Sequence, residues 1–272
     1  MASPYKADAP LVPELSYNEK NRQARQLFRR SLAAPNENSV AQVEWANRQI
    51  GGLDIQDSRV FDVPRCFEVN AQVSSEKGEW ALAIKHGINW LRDQPFSKRP
   101  AVFTSYVSSL VEEYARSIEI LRASLRVNPN DPLLINNLAF ALAGENRITE
   151  AQEVLRGTDY TNTTGTSAIT LAATHGLVLF RTGFVDRGRE LYRVAIERAG
   201  KFGVQKYRLL AELYLACEEL LAKTPVSRAT AERALAGASR STEKDVSVVA
   251  VQIRKLLEKI ISNGASPATR GA

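Results

Sequence analysis

Two histidines, His86 and His175, are the only imidazoles the chain offers. A metal site needs three or four ligands, and a histidine base needs both a nucleophile and an orienting group. Two histidines in separate segments supply neither, so each reads as a packed or surface residue. Glu112-Glu113 and Glu218-Glu219 place carboxylates side by side. Neighbours on a helix point about 100° apart, so neither pair can flank one substrate as acid and base. Both pairs are expected at solvated helix ends. Cys66 and Cys217 are too far apart along a linear array to meet the geometry of a disulfide, and read as small apolar residues of a reducing compartment. No phosphate-binding GxxxxGK[ST], dinucleotide-binding GxGxxG, HExxH, CxxC or GxSxG run occurs. The residue types thus point away from catalysis, metals and cofactors, and toward binding.

Charge narrows the partner. The 272 residues are 44% hydrophobic and 24% charged, with a net charge of +6. That suits one large globular domain or two small ones. Lys and Arg are interleaved with Asp and Glu, which favours a solvated surface over a nucleic-acid footprint. Arg187, Arg189, Arg193 and Arg198 nevertheless gather around Tyr192. They form a candidate basic face for RNA or DNA phosphates, with a plain solvated face as the alternative. The longest apolar runs, such as residues 246–253, are too short for a bilayer span, and residues 1–15 lack the apolar core of a signal peptide. A soluble, cytoplasmic chain without membrane insertion is expected.

These residues sit on elements with helical periodicity. Residues 1–16 are Pro-rich and aperiodic, a poorly ordered lead-in. Residues 17–63 hold a helix over 17–33, a second over 39–50 and an irregular connector over 53–63. From residue 64 the pattern repeats: helix, Gly or Asn turn, helix, Pro. Pro95 and Pro129 lie 34 residues apart, as do Ala83, Ser117 and Ala151 in turn. Five helix pairs follow, over 64–97, 98–131, 132–168, 169–202 and 203–238. A Thr-rich insertion interrupts them at 159–166. A last helix over 245–261 has no following partner and is expected to cap the array, before a disordered tail over 262–272.

A 34-residue two-helix unit with small residues at fixed places resembles the tetratricopeptide repeat family. The match rests on Phe67, Ala71, Gly78 and Ala83 in the first unit, and on Ser105, Ser117, Leu121, Ser124 and Pro129 in the second. The third carries Leu138, Ala139, Ala151 and Leu155. The fourth carries Gly176, Leu179, Gly183, Gly188, Tyr192 and Ala195. No unit bears the full signature; the shared spacing carries the likeness. The resemblance implies an all-α fold, a right-handed superhelical solenoid of antiparallel helix hairpins closed by a capping helix.

It also implies that the first helix of each pair lines a concave face. The groove residues carried over include Arg99 and Tyr106 in the second unit, and Asn136 and Phe140 in the third. Leu177, Phe180 and Arg181 follow in the fourth, then Tyr207 and Tyr214 in the fifth. Arg65 and Gln72 would begin this row. A clamp for a charged carboxy terminus is not expected. Asn137 matches one clamp position, but Val102, Tyr106, Thr170 and Thr174 stand where cations or amides would be needed. The implied function is a protein-interaction module that docks an apolar helical or extended segment. The alternatives are a regulatory or targeting part of a larger effector, whose enzymatic or toxin-like part lies elsewhere, and nucleic-acid binding through the basic face. Oligomeric state stays open.

Overall fold

The computed structural model describes residues 17–31, 43, 66–158 and 163–264. Every regular element among them is helical, and there are twelve. They are α1 (Tyr17–Ser31), α2 (Phe67–Lys77), α3 (Trp80–Asp93), α4 (Lys98–Leu110), α5 (Tyr114–Val127) and α6 (Pro132–Gly144), then α7 (Ile148–Leu155), α8 (Gly165–Arg181), α9 (Val185–Lys201), α10 (Gln205–Leu221), α11 (Ser227–Ala238) and α12 (Lys244–Gly264). The chain divides into two units, Met1–Phe67 and Glu68–Ala272. In the first, α1 is described and Val43 is buried. The lead-in, most of the expected second helix, the connector at 53–63, Arg65, the centre of the Thr-rich insertion and most of the tail lie outside the described residues.

In the second unit each helix from α3 onward packs on the next. Helices α4, α6, α8 and α10 also pack side by side, as first helices of successive pairs. The joints explain why the helices stop where they do. Gly78, Glu112, Asn146 and Gly183 all have φ between 59° and 87°. At each joint the next residue's N–H returns to a carbonyl five residues back: Glu79 to Ser74, Glu113 to Ser108, Arg147 to Leu142 and Phe184 to Leu179, at 2.8–2.9 Å. This satisfies the orphan carbonyls of the ending helix and reverses the chain. Gly78, Glu112 and Asn146 stand 34 residues apart. Helix α6 begins at Pro132, where Asp131 accepts from the N–H groups of Leu133 (3.1 Å) and Leu134 (3.2 Å).

Packing is tightest between α8 and α9. A Cβ on Gly188 would lie 2.7 Å from the Gly176 carbonyl and 2.6 Å from the Phe180 ring. Two glycines thus let the helix backbones touch. Small residues do similar work at Ala139, Ala151, Ala172 and Ala195, all fully buried.

Two expectations change. Glu218 and Glu219 are not solvated: they are 3% and 1% exposed. Glu218 receives a two-pronged guanidinium from Arg181 (2.7 and 2.8 Å), and Glu219 one from Arg189 (2.6 and 3.2 Å). Paired this way, both acids can stay inside. Glu112-Glu113 is exposed, as expected. Helix α12 does more than cap. Val246, Val249 and Ile253 are buried in a core shared with α10 and α11, and the helix also reaches α4. There the Gln252 side chain donates to the Leu110 carbonyl at 3.0 Å.

Candidate binding cavity

The first helices enclose a cavity of about 550 Å³ walled by α2, α4, α6, α8 and α10. Their first turns supply Lys98, Arg99, Lys206 and Tyr207, mostly polar, together with the apolar Leu133, and Thr170 lies one turn further on. Further along the same helices the lining is apolar and aromatic: Phe140, Leu177 and Tyr214, joined by Tyr192 from α9. Helix α12 completes one side through Asp245.

Gln72 and seven of the nine groove residues expected from Arg99 onward line this cavity. Arg99 is exposed, pairs with Glu68 and lies 5.6 Å over the Trp90 ring. The Tyr106 hydroxyl donates to Asp245 Oδ2 at 2.6 Å, and Lys206 Nζ meets the same oxygen at 2.5 Å. Burial, reinforced by Asp245, pushes the Tyr106 phenol well above its ordinary pKa, so it stays a donor. Phe140 meets Tyr214 edge-on at 5.2 Å and Tyr114 at 6.5 Å. Leu177, Tyr207 and Asn136 complete the set.

Asn136 and Asn137 are engaged with the protein itself. Asn137 donates to the Val102 carbonyl (3.3 Å) and to Ser105 Oγ (3.2 Å). Asn136 donates to Asn137 Oδ1 (3.2 Å) and accepts from Thr174 (2.8 Å). This chain ties α4, α6 and α8 together and occupies the amides a polar clamp would use.

Phe180 and Arg181 are corrections. Both leave the cavity for the α8–α9 and α10 contacts. Phe180 packs edge-on to Tyr192 at 6.1 Å over Gly188, and Arg181 turns to Glu218. Both stand at the end of α8, where the helix face has rotated away from the cavity. The basic face is corrected too. Arg187 and Arg193 are exposed, but Arg193 pairs with Glu190 at 3.0 Å. Arg189 is 23% exposed and its fork is spent on Glu219 and Asp186, while Arg198 is half-buried. The four arginines do not present one outward row.

Tyr192, Trp90, Phe103, Lys206 and Asp245 also line the cavity and were missed. A second-helix tyrosine opposite Gly176 carried a signal, since a bulky side chain beside an absent one must fill its space. Asp245 carried none, because its partners lie far away in the chain.

His175 sits outside the cavity lining. Its Nε2 lies 2.9 Å from Thr158 Oγ1, whose hydroxyl donates to the Leu155 carbonyl at 2.7 Å, so Nε2–H is the donor. Burial lowers the pKa of His175 and keeps the ring neutral. Burial pushes the Cys217 thiol up to about 12. Among the described residues no cluster of His, Cys, Asp or Glu could hold a metal ion, and no helix is long and apolar enough to cross a membrane. Compared with models of known families and with curated protein sequences, the chain matches none.

Proposed function

We propose that the chain is a tetratricopeptide-like solenoid, a right-handed superhelix of helix pairs, and that it works as a protein-interaction module with no catalysis of its own. It takes an apolar segment of a partner chain at the cavity between its first helices. One observation carries this reading: Tyr106, Phe140, Tyr207 and Tyr214, from three first helices, converge on one cavity. Aromatic side chains in a concave site give large contact area at low conformational cost and serve as binding anchors. The 34-residue spacing of Gly78, Glu112 and Asn146 supports the repeat. The bridge from Tyr106 to Asp245 favours an extended segment over a helix about 10 Å across lying along the row. The partner can equally be an effector that this chain regulates or targets.

The test is a partner recovered with the chain from its native cell, followed by titration of that partner against variants. Leu133→Asp and Tyr207→Ala, in first turns that line the cavity, are expected to weaken binding at least tenfold. Glu119→Ala and Arg193→Ala, on exposed faces of α5 and α9, are expected to leave it within about twofold. Folded cavity variants that bind at full strength would overturn the assignment.

A further inference from the structure

The apolar end of the cavity holds two phenols whose hydroxyls have no role in the fold. Tyr192 is the one α9 residue among those lining the cavity. It comes from a second helix and passes α8 where Gly176 leaves room: a Cβ there would lie 3.0 Å from its ring. Tyr192 is 1% exposed. Tyr214 stands in the same wall, edge-on to Phe140. Among the described residues no protein group hydrogen-bonds either hydroxyl. Burial raises both phenols far above their usual pKa, so both remain O–H donors. Neither hydroxyl is among the buried polar atoms left without a partner, so each is open to the cavity, where a ligand's acceptor can take the place of water.

The rest of the wall says what that partner is. The charged groups around the cavity are matched within the protein: Arg99 by Glu68, Lys98 by Asp131 and Lys206 by Asp245. A charged occupant would find no counter-ion left for it. At about 550 Å³ the cavity falls among the roughly 300–1,000 Å³ sites that hold small molecules. Leu177, Phe140 and Ala173 supply an apolar body for contact.

We propose that this end of the cavity binds a small neutral molecule with an apolar body and a hydrogen-bond acceptor, such as a carbonyl, at its buried end, received by the hydroxyls of Tyr192 and Tyr214. The site goes beyond the docking of a partner chain and stands without it.

The probe is prodan, 6-propionyl-2-dimethylaminonaphthalene, a neutral fluorophore with a carbonyl at one end, titrated into the full chain. Saturable, blue-shifted emission at micromolar probe is expected. In competition, 2-acetylnaphthalene should displace prodan about fivefold better than 2-ethylnaphthalene, although the ethyl compound is the more apolar. In the Tyr192→Phe, Tyr214→Phe double variant, which keeps both rings, that preference should vanish. Ala173→Phe, which fills the cavity, should abolish binding, with circular dichroism confirming that each variant is folded. The proposal is overturned by the absence of saturable binding at about 100 µM probe, by binding that survives Ala173→Phe, or by an acetyl preference that survives the double variant. Partner affinity measured in parallel separates the two readings: if it depends on Leu133 while prodan fails to bind, only the small-molecule site falls.

Discussion

Glu218 and Glu219 stand side by side on α10, nearly sealed from water, and each is met by an arginine from another helix. At this residue scale, two arginines that look alike in sequence do different things. Arg189 neutralises a carboxylate that cannot reach solvent, so Arg189→Met strands that charge and is expected to cost about 2–4 kcal/mol in denaturant unfolding. Arg193 pairs with Glu190 in the open, and Arg193→Met is expected to cost less than about 0.5 kcal/mol. Equal effects would mean that Glu219 is not held as described. His175 gives the pH dependence. Burial lowers its folded pKa below the ordinary value near 6.5. The neutral ring is therefore preferred in the folded chain. Its contribution to stability is complete above about pH 6.5 and is lost as pH falls through the lower folded value. Thermal melts from about pH 7.5 down to about pH 5 are expected to show a drop in wild type that is smaller in His175→Gln, whose side chain does not titrate.

At the scale of elements, the small residues decide how close helices come. Gly188→Ala would press a methyl group against the Gly176 carbonyl, which is backbone and cannot swing aside. A loss of about 1–3 kcal/mol is expected. Gly200→Ala, on the same helix but with no atom near its Cβ, is expected to gain up to about 1 kcal/mol, because alanine is the better helix former. Chemical denaturation of the two variants distinguishes close approach from simple propensity. Glu112 holds a left-handed turn that glycine holds at Gly78 and Gly183. Glu112→Gly should accordingly be neutral or stabilising by up to about 1 kcal/mol.

The periodic spacing made these helices legible, together with the inner row of Tyr106, Phe140, Tyr207 and Tyr214, because apolar repeat positions must point inward to be buried. The same row overran at Phe180 and Arg181, where a local gap over Gly188 and a buried acid at Glu218 redirect the side chains. Gly188 was visible; the depth of Glu218 was not, since its arginine lies 37 residues back. Adjacent charges with distant partners look the same in sequence as adjacent charges in water.

In the second unit, α12 packs back onto α4. Asp245 joins Tyr106, 139 residues earlier, and Lys206 on α10. Nothing local foretells this, because the partners of Asp245 lie 139 and 39 residues earlier in the chain. Tyr106→Phe removes the hydrogen bond to a buried carboxylate and is expected to cost about 1.5–3 kcal/mol. It should also speed amide hydrogen exchange in the first turns of α12 ahead of the remaining helices. Unchanged exchange there would place the strength of that contact in Val246 and Val249 instead.

The most direct test of the binding surface is site-specific photo-crosslinking in the native cell. Benzoylphenylalanine is placed at Leu133, in the cavity wall, and at Glu119, on the exposed face of α5. A covalent adduct of one defined partner at position 133, and none at 119, is the expected result. Adducts at 119 with none at 133 would contradict a binding surface on the first helices.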